Sequence, residues 1–226
     1  ELRRVIGEAI DYHELLEAEN RLLSQTLAGA IDVLNQVLEI VSPVAFGRAS
    51  RIQKVVKHMS RELPIPSPWK IETAAILSQL GCVSLSPELL ERVYGKAHLS
   101  SEESERFDKH PGIAASLLSN VPRLEDVASI IGKHLTIVDT LPPKNGRVGN
   151  ELAAEVLWVA DQYDRLANTG MGHGAAKSAI GREIRSLSPG VFDALMSLKP
   201  PSRDEAVLSI TLKELTPGMV FLDDVR

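Results

Sequence analysis

Ala74-Ala75-Ile76-Leu77-Ser78-Gln79-Leu80-Gly81 decides how this chain is read. Small and aliphatic residues run without a break into a hydroxyl, an amide, a leucine and a glycine. Such a run reads as a core helix, with Ser78 and Gln79 at its end. Both are neutral. Hard divalent cations take carboxylate or imidazole donors, and a hydroxyl beside an amide does not replace them.

Outward from this stretch the chain reads as short helices separated by prolines and glycines. Upstream, 45–61 is helical and 63–69 is a loop broken by Pro64, Pro66 and Pro68, ahead of a helix over 71–80. Downstream, helices are predicted over 87–93, 101–118, 124–134, 151–168, 175–186 and 191–198. The 101–118 helix follows a Ser-Ser-Glu-Glu start signal, in which a side-chain oxygen and an acid three residues on satisfy the first free N–H groups. Residues 141–149 hold two prolines and two glycines and read as a loop. After Pro200-Pro201, Val207-Leu208-Ser209-Ile210 is strand-like and Pro217-Gly218 is a turn.

At the N-terminus Leu2, Ala9, Leu16, Leu23, Ala30 and Val37 keep an unbroken seven-residue spacing, with Ile6, Leu27 and Leu34 on the adjacent row. One helix over about 1–41, stopped by Ser42-Pro43, accounts for this. The companion row is interrupted by His13, Glu19, Asn20 and Thr26, so a perfect zipper does not follow. Two readings stand: a parallel dimer helix carrying a signal from an upstream domain, or an amphipathic helix lying on its own core.

The chain has 226 residues, 44% of them hydrophobic and 24% charged, which suits one sizeable core and an appendage. A net charge of −5 gives no electrostatic case for DNA or an anionic membrane surface. No apolar run approaches the ~18 residues of a membrane span. A lone cysteine excludes an internal disulfide and suits a cytoplasmic setting. Aromatic content of 4% favours helix-on-helix packing. The expected fold class is all-α: a helical bundle preceded by a long coiled-coil-like helix, with a short β segment at the C-terminus. The expected divisions are 1–42 for the linker helix, 43–199 for the helical domain and 200–226 for the appendage.

Several colinear segments over about 44–198 resemble an HD-GYP domain of the HD superfamily. They are Arg51-Ile52, the Ala74–Gly81 stretch, Lys109-His110-Pro111-Gly112, the helix ending in His134-Leu135-Thr136, and Val159-Ala160-Asp161-Gln162-Tyr163-Asp164-Arg165-Leu166. In that family the apolar helix ends in a His-Asp pair followed by an aliphatic residue, Gly and Lys. Here Ser78 and Gln79 stand in place of the pair and Cys82 in place of the Lys. Arg48 takes the slot of the family's first His, and Asp139-Thr140-Leu141-Pro142-Pro143 fills the region of the Gly-Tyr-Pro signature. The Glu1–Ile6 and Glu17–Leu22 segments are similar to the linker that follows a receiver domain of a two-component response regulator, which would lie upstream.

The resemblance implies an HD site built from Arg48, Ser78, Gln79, His110, His134 and Asp161, of which only His110, His134 and Asp161 match the metal ligands. It implies a non-catalytic output module with no cofactor, working as a homodimer through the N-terminal helix and binding a protein partner or a cyclic dinucleotide. A divergent phosphodiesterase of cyclic di-GMP, holding one metal on His110, His134 and Asp161, is the alternative, and an HDOD-like interaction domain is another. If the metal is gone, an Arg in the old ligand slot supplies positive charge to Asp161, so an Arg48–Asp161 pair is expected. His110 would then be a helix-start residue held by local hydrogen bonds, and His134 a helix C-terminal residue favoured by the macrodipole. Gly170-Met171-Gly172-His173-Gly174 reads as an interhelix loop, Cys82 as a packing residue, and Arg48, Arg51, Lys54 and Lys57 as a solvated basic face.

Overall fold

The computed structural model describes residues 2–94, 99–168, 171–182 and 187–199, and within the first helix the side chains of Ile6, residues 12–15, Glu19 and residues from Leu22 onward. The described elements are helices α1 (Leu2–Val41), α2 (Pro43–Glu62), α3 (Pro68–Leu77), α4 (Pro87–Tyr94), α5 (Ser101–Asp108), α6 (His110–Leu118), α7 (Glu125–Lys133), α8 (Gly149–Asn168), α9 (His173–Ile180) and α10 (Val191–Met196). Short 3-10 turns occupy Leu80–Ser84 and Ile137–Asp139. No strand occurs among the described residues, and the predicted strand segment at 206–226 lies outside them.

Proline places several of these boundaries. Ser42 is extended at φ −145° and Pro43 opens α2, so the chain breaks there and restarts as a helix. Pro68 likewise opens α3, which brings Trp69 into the helix and shortens the expected 63–69 loop. The predicted 101–118 helix is two helices, because α6 opens at His110-Pro111 immediately after α5 ends. Pro111 has no N–H to continue the α5 ladder. The start signal is real: Glu103 N–H donates to Ser100 Oγ at 3.2 Å and Ser100 N–H to Glu103 Oε2 at 2.8 Å.

The 71–80 helix ends earlier than predicted, at Leu77, and tightens into the 3-10 turn that carries Gly81. A Cβ on Gly81 would lie 1.9 Å from the His110 carbonyl oxygen, so only glycine lets this turn meet the start of α6. The core is shared by α2, α3, α7 and α8 and sealed by α6 and α10. Ile52, Met59, Ile71, Leu77, Leu118, Ile130, Ile131, Leu157 and Leu195 are almost fully buried in it. A satellite cluster joins Leu38 of α1 to Ala45 and Ala49 of α2, Cys82 and Leu90. The last turns of α1 therefore pack on the body through Leu27, Ile31, Leu34 and Leu38. Every described α1 side chain before Leu27 is exposed.

Candidate functional site

Arg48 lies on the inner face of α2 between Ala45 and Ala49, and only 4% of it is exposed. Its Nη2 donates to Asp161 Oδ1 of α8 at 2.7 Å, the pair the sequence suggested. One turn along both helices the motif repeats. Arg51 donates from Nε to Asp164 Oδ1 at 2.6 Å and from Nη2 to Asp164 Oδ2 at 3.2 Å. Arg48 Nε also lies 3.4 Å from Asp164 Oδ2. Two arginines on α2 and two aspartates on α8, each spaced i, i+3, thus form a ladder between the helices.

Aromatic rings from the α4–α5 side close over it. The Arg48 guanidinium lies 5.3 Å from the centre of the Tyr94 ring and 6.0 Å from that of Phe107. Such placement suits a cation that has lost water. Despite its burial, the opposite charge of Asp161 and the Tyr94 hydroxyl beside it keep Arg48 protonated. Tyr94 is itself held in the neutral phenol form by burial.

The two histidines of the expected site are close enough to Asp161 and Arg48 to feel their charges. His110 is the first residue of α6, and its Nδ1 pairs with the Phe107 carbonyl. His134 caps α7, with Nδ1 on the Ile131 carbonyl at 2.7 Å. Burial pushes His110 down to about 4 and lowers His134 too, so both are neutral near pH 7. This corrects the macrodipole reading of His134: at 2% exposure, desolvation outweighs the helix end. His110 Nε2 is buried with no hydrogen-bond partner.

Ser78 and Gln79 are buried at 1% each but serve their own segment. Ser78 Oγ donates to the Ala75 carbonyl at 2.9 Å, and Gln79 Nε2 donates to Ser78 Oγ at 3.1 Å. Gln79 Oε1 accepts from the Tyr94 hydroxyl at 3.2 Å. Cys82 lies 3.7 Å from both Gln79 Oε1 and the Tyr94 hydroxyl, and burial pushes its thiol up to about 11. It is a packing thiol, not a nucleophile.

A family model for the HD domain matches residues 32–182. The chain belongs to the HD domain family. No curated protein and no solved structure matches it. The HD match begins within α1, at the turns that pack on the body, and ends just after α9.

An HD fold implies a divalent metal, and the residues present do not fit one. An arginine sits at hydrogen-bond distance from the Asp161 carboxylate, and the neighbouring Ser78 and Gln79 bring neither imidazole nor carboxylate. Among the described residues no group of three His, Cys, Asp or Glu side chains is arranged to hold a metal ion. The structure brings Arg48, His110, His134 and Asp161 together, while Ser78 and Gln79 join them through the Tyr94 hydroxyl.

Three further members were missed from sequence. Asp164 was legible, because Asp161-x-x-Asp164 mirrors Arg48-x-x-Arg51. Tyr94 and Phe107 carried no such signal. The basic face over 48–57 is corrected in half: Arg48 is buried and Arg51 is paired, leaving Lys54 and Lys57 exposed. In the Gly170–Gly174 segment, Gly170 lies outside the described residues. His173 begins α9 and pairs through Nδ1 with the Tyr163 hydroxyl.

Proposed function

We propose that this chain is the non-catalytic output module of a bacterial-type response regulator, built on an HD domain of the HD-GYP type whose metal site has been replaced by an ion pair. The observation that supports it is the Arg48–Asp161 contact at 2.7 Å, buried on both sides. A guanidinium there supplies the positive charge a metal would supply, and it ties up the carboxylate lone pairs a metal would need. It also leaves no open coordination position for activating a water.

In this reading the receiver upstream changes the geometry of a homodimer through α1, and the helical body presents a surface to a protein partner or a cyclic dinucleotide. A physical route exists from α1 to the site. Leu38 packs against Ala45 and Ala49, the residues on either side of Arg48. A shift of α1 therefore loads the α2 segment that holds the ladder. The buried, unpartnered His110 Nε2 is the one feature that favours the alternative of a residual metal-dependent phosphodiesterase.

The deciding test is elemental mass spectrometry on protein purified with iron and manganese supplied, alongside a cyclic di-GMP hydrolysis assay. The expected result is no stoichiometric metal and no hydrolysis. A stoichiometric metal lost in His110→Ala or Asp161→Ala would overturn the proposal in favour of the phosphodiesterase.

A further inference from the structure

Along α1 two apolar rows run side by side, and the body covers only one. The covered row is Leu27, Ile31, Leu34 and Leu38. The other is Leu23, Thr26, Ala30, Val33, Val37 and Ile40, spaced alternately three and four residues apart. Leu23 is 45% exposed, Val33 58% and Ile40 80%. Leu15 and Leu22, equally exposed, flank this row on the side away from the body.

We infer that the second row is the seam of a parallel, in-register two-stranded coiled coil with a second copy of this chain. This deepens the proposed output role by assigning the seam, strand number and register of the α1 homodimer, and rests on it only for the view that dimer geometry carries the signal. Strict three-four alternation meets a helix of the same period, and a second copy supplies one with matching layers at every step. The covered row sets the number of strands. Leu27 and Leu34 lie on the flank that a third helix would need, and they already pack on the chain's own core. The exposed length sets the need: before Leu27 every described α1 side chain is exposed, so among the described residues nothing of its own chain packs on it there. Glu19 falls in the seam by the same spacing, so two carboxylates face each other there and the seam is weakest toward its N-terminal half.

Sedimentation of the whole chain, with disulfide trapping, tests this. The chain is expected to sediment as a dimer. Val33→Asp with Val37→Asp should yield monomers that melt like the parent body, since both positions are exposed. Glu19→Leu should tighten the dimer. Val33→Cys should form an interchain disulfide under mild oxidation, and Asp32→Cys, off the seam, should not. A monomeric parent chain, or a dimer unaffected by the double substitution, would overturn the seam. A dimer linked at position 32 but not at 33 would overturn the register. None of these readouts depends on metal or hydrolysis, so this inference and the non-catalytic reading fail separately.

Discussion

Among the described residues two arginine–carboxylate clusters meet on α8, and they are built differently. In the first, Arg48 and Arg51 meet Asp161 and Asp164 side chain to side chain, with the Tyr94 and Phe107 rings over Arg48, and with Arg51 at the exposed end. In the second, Glu155 on α8 accepts from Ser188 Oγ at 2.6 Å and from the Ser188 N–H, and lies 3.1 Å from Arg147 Nη1. Arg147 Nη2 donates to the Ile137 carbonyl at 2.7 Å and to that of Thr140, while its own N–H donates to Ser188 Oγ at 2.8 Å. The second cluster binds mostly backbone. It pins the 137–147 segment and the turn before α10 onto α8. The first binds almost no backbone, and beside it His110 Nε2 is left without a partner. A staple for loops saturates its groups; a cluster that leaves a buried nitrogen unpaired is arranged around charge.

The largest expected effect is at the staple. Glu155→Ala leaves Arg147 buried without its counter-charge and strips the acceptor from Ser188, which should cost about 4 kcal/mol. Urea unfolding measures this, and a cost near that of a surface change would show that the segment is not held from α8. Next is the ladder. Asp161→Ala should cost about 3 kcal/mol, and adding Arg48→Met should return stability to within about 1 kcal/mol of the parent, because the stranded charge is gone. If the double variant stays as unstable as the single one, Arg48 does more than compensate Asp161.

The smallest of the three is a pH effect. His110 is neutral when folded and titrates near 4, while the unfolded chain takes up its proton near the ordinary value of 6.5. The unfolded state thus binds more protons between these values, and stability falls as pH drops. The loss should be about 2 kcal/mol between pH 7 and pH 5 on account of His110, with His134 acting in the same direction. His110→Phe should flatten part of this slope. A slope unchanged in that variant would place the acid sensitivity elsewhere.

Much of the fold was legible because its signals are local. Pro43, Pro68 and Pro111 stop or start helices through their missing N–H, and the Ser100–Glu103 box marks α5 from sequence alone. Two boundaries differ from that reading: α3 opens at Pro68, inside the expected 63–69 loop, and Pro111 divides the expected 101–118 helix in two. At the site, the Arg48–Asp161 pair was legible from charge compensation, and Asp164 from the matching i, i+3 spacing. Tyr94 and Phe107 were not, because nothing in a sequence says which aromatic ring lies over which cation.

What the sequence by itself determined is an all-helical body, a long N-terminal helix with heptad spacing, and the neutral Ser78 and Gln79 at the end of an apolar run. These follow from periodicity, proline and residue chemistry within a few turns. Only the tertiary structure decided which of two apolar rows on α1 the body covers, that Arg48 is drawn inward while Lys54 and Lys57 stay outside, and that His134 is held neutral. Each of these depends on desolvation, set by elements that lie far apart in the chain and meet only on folding.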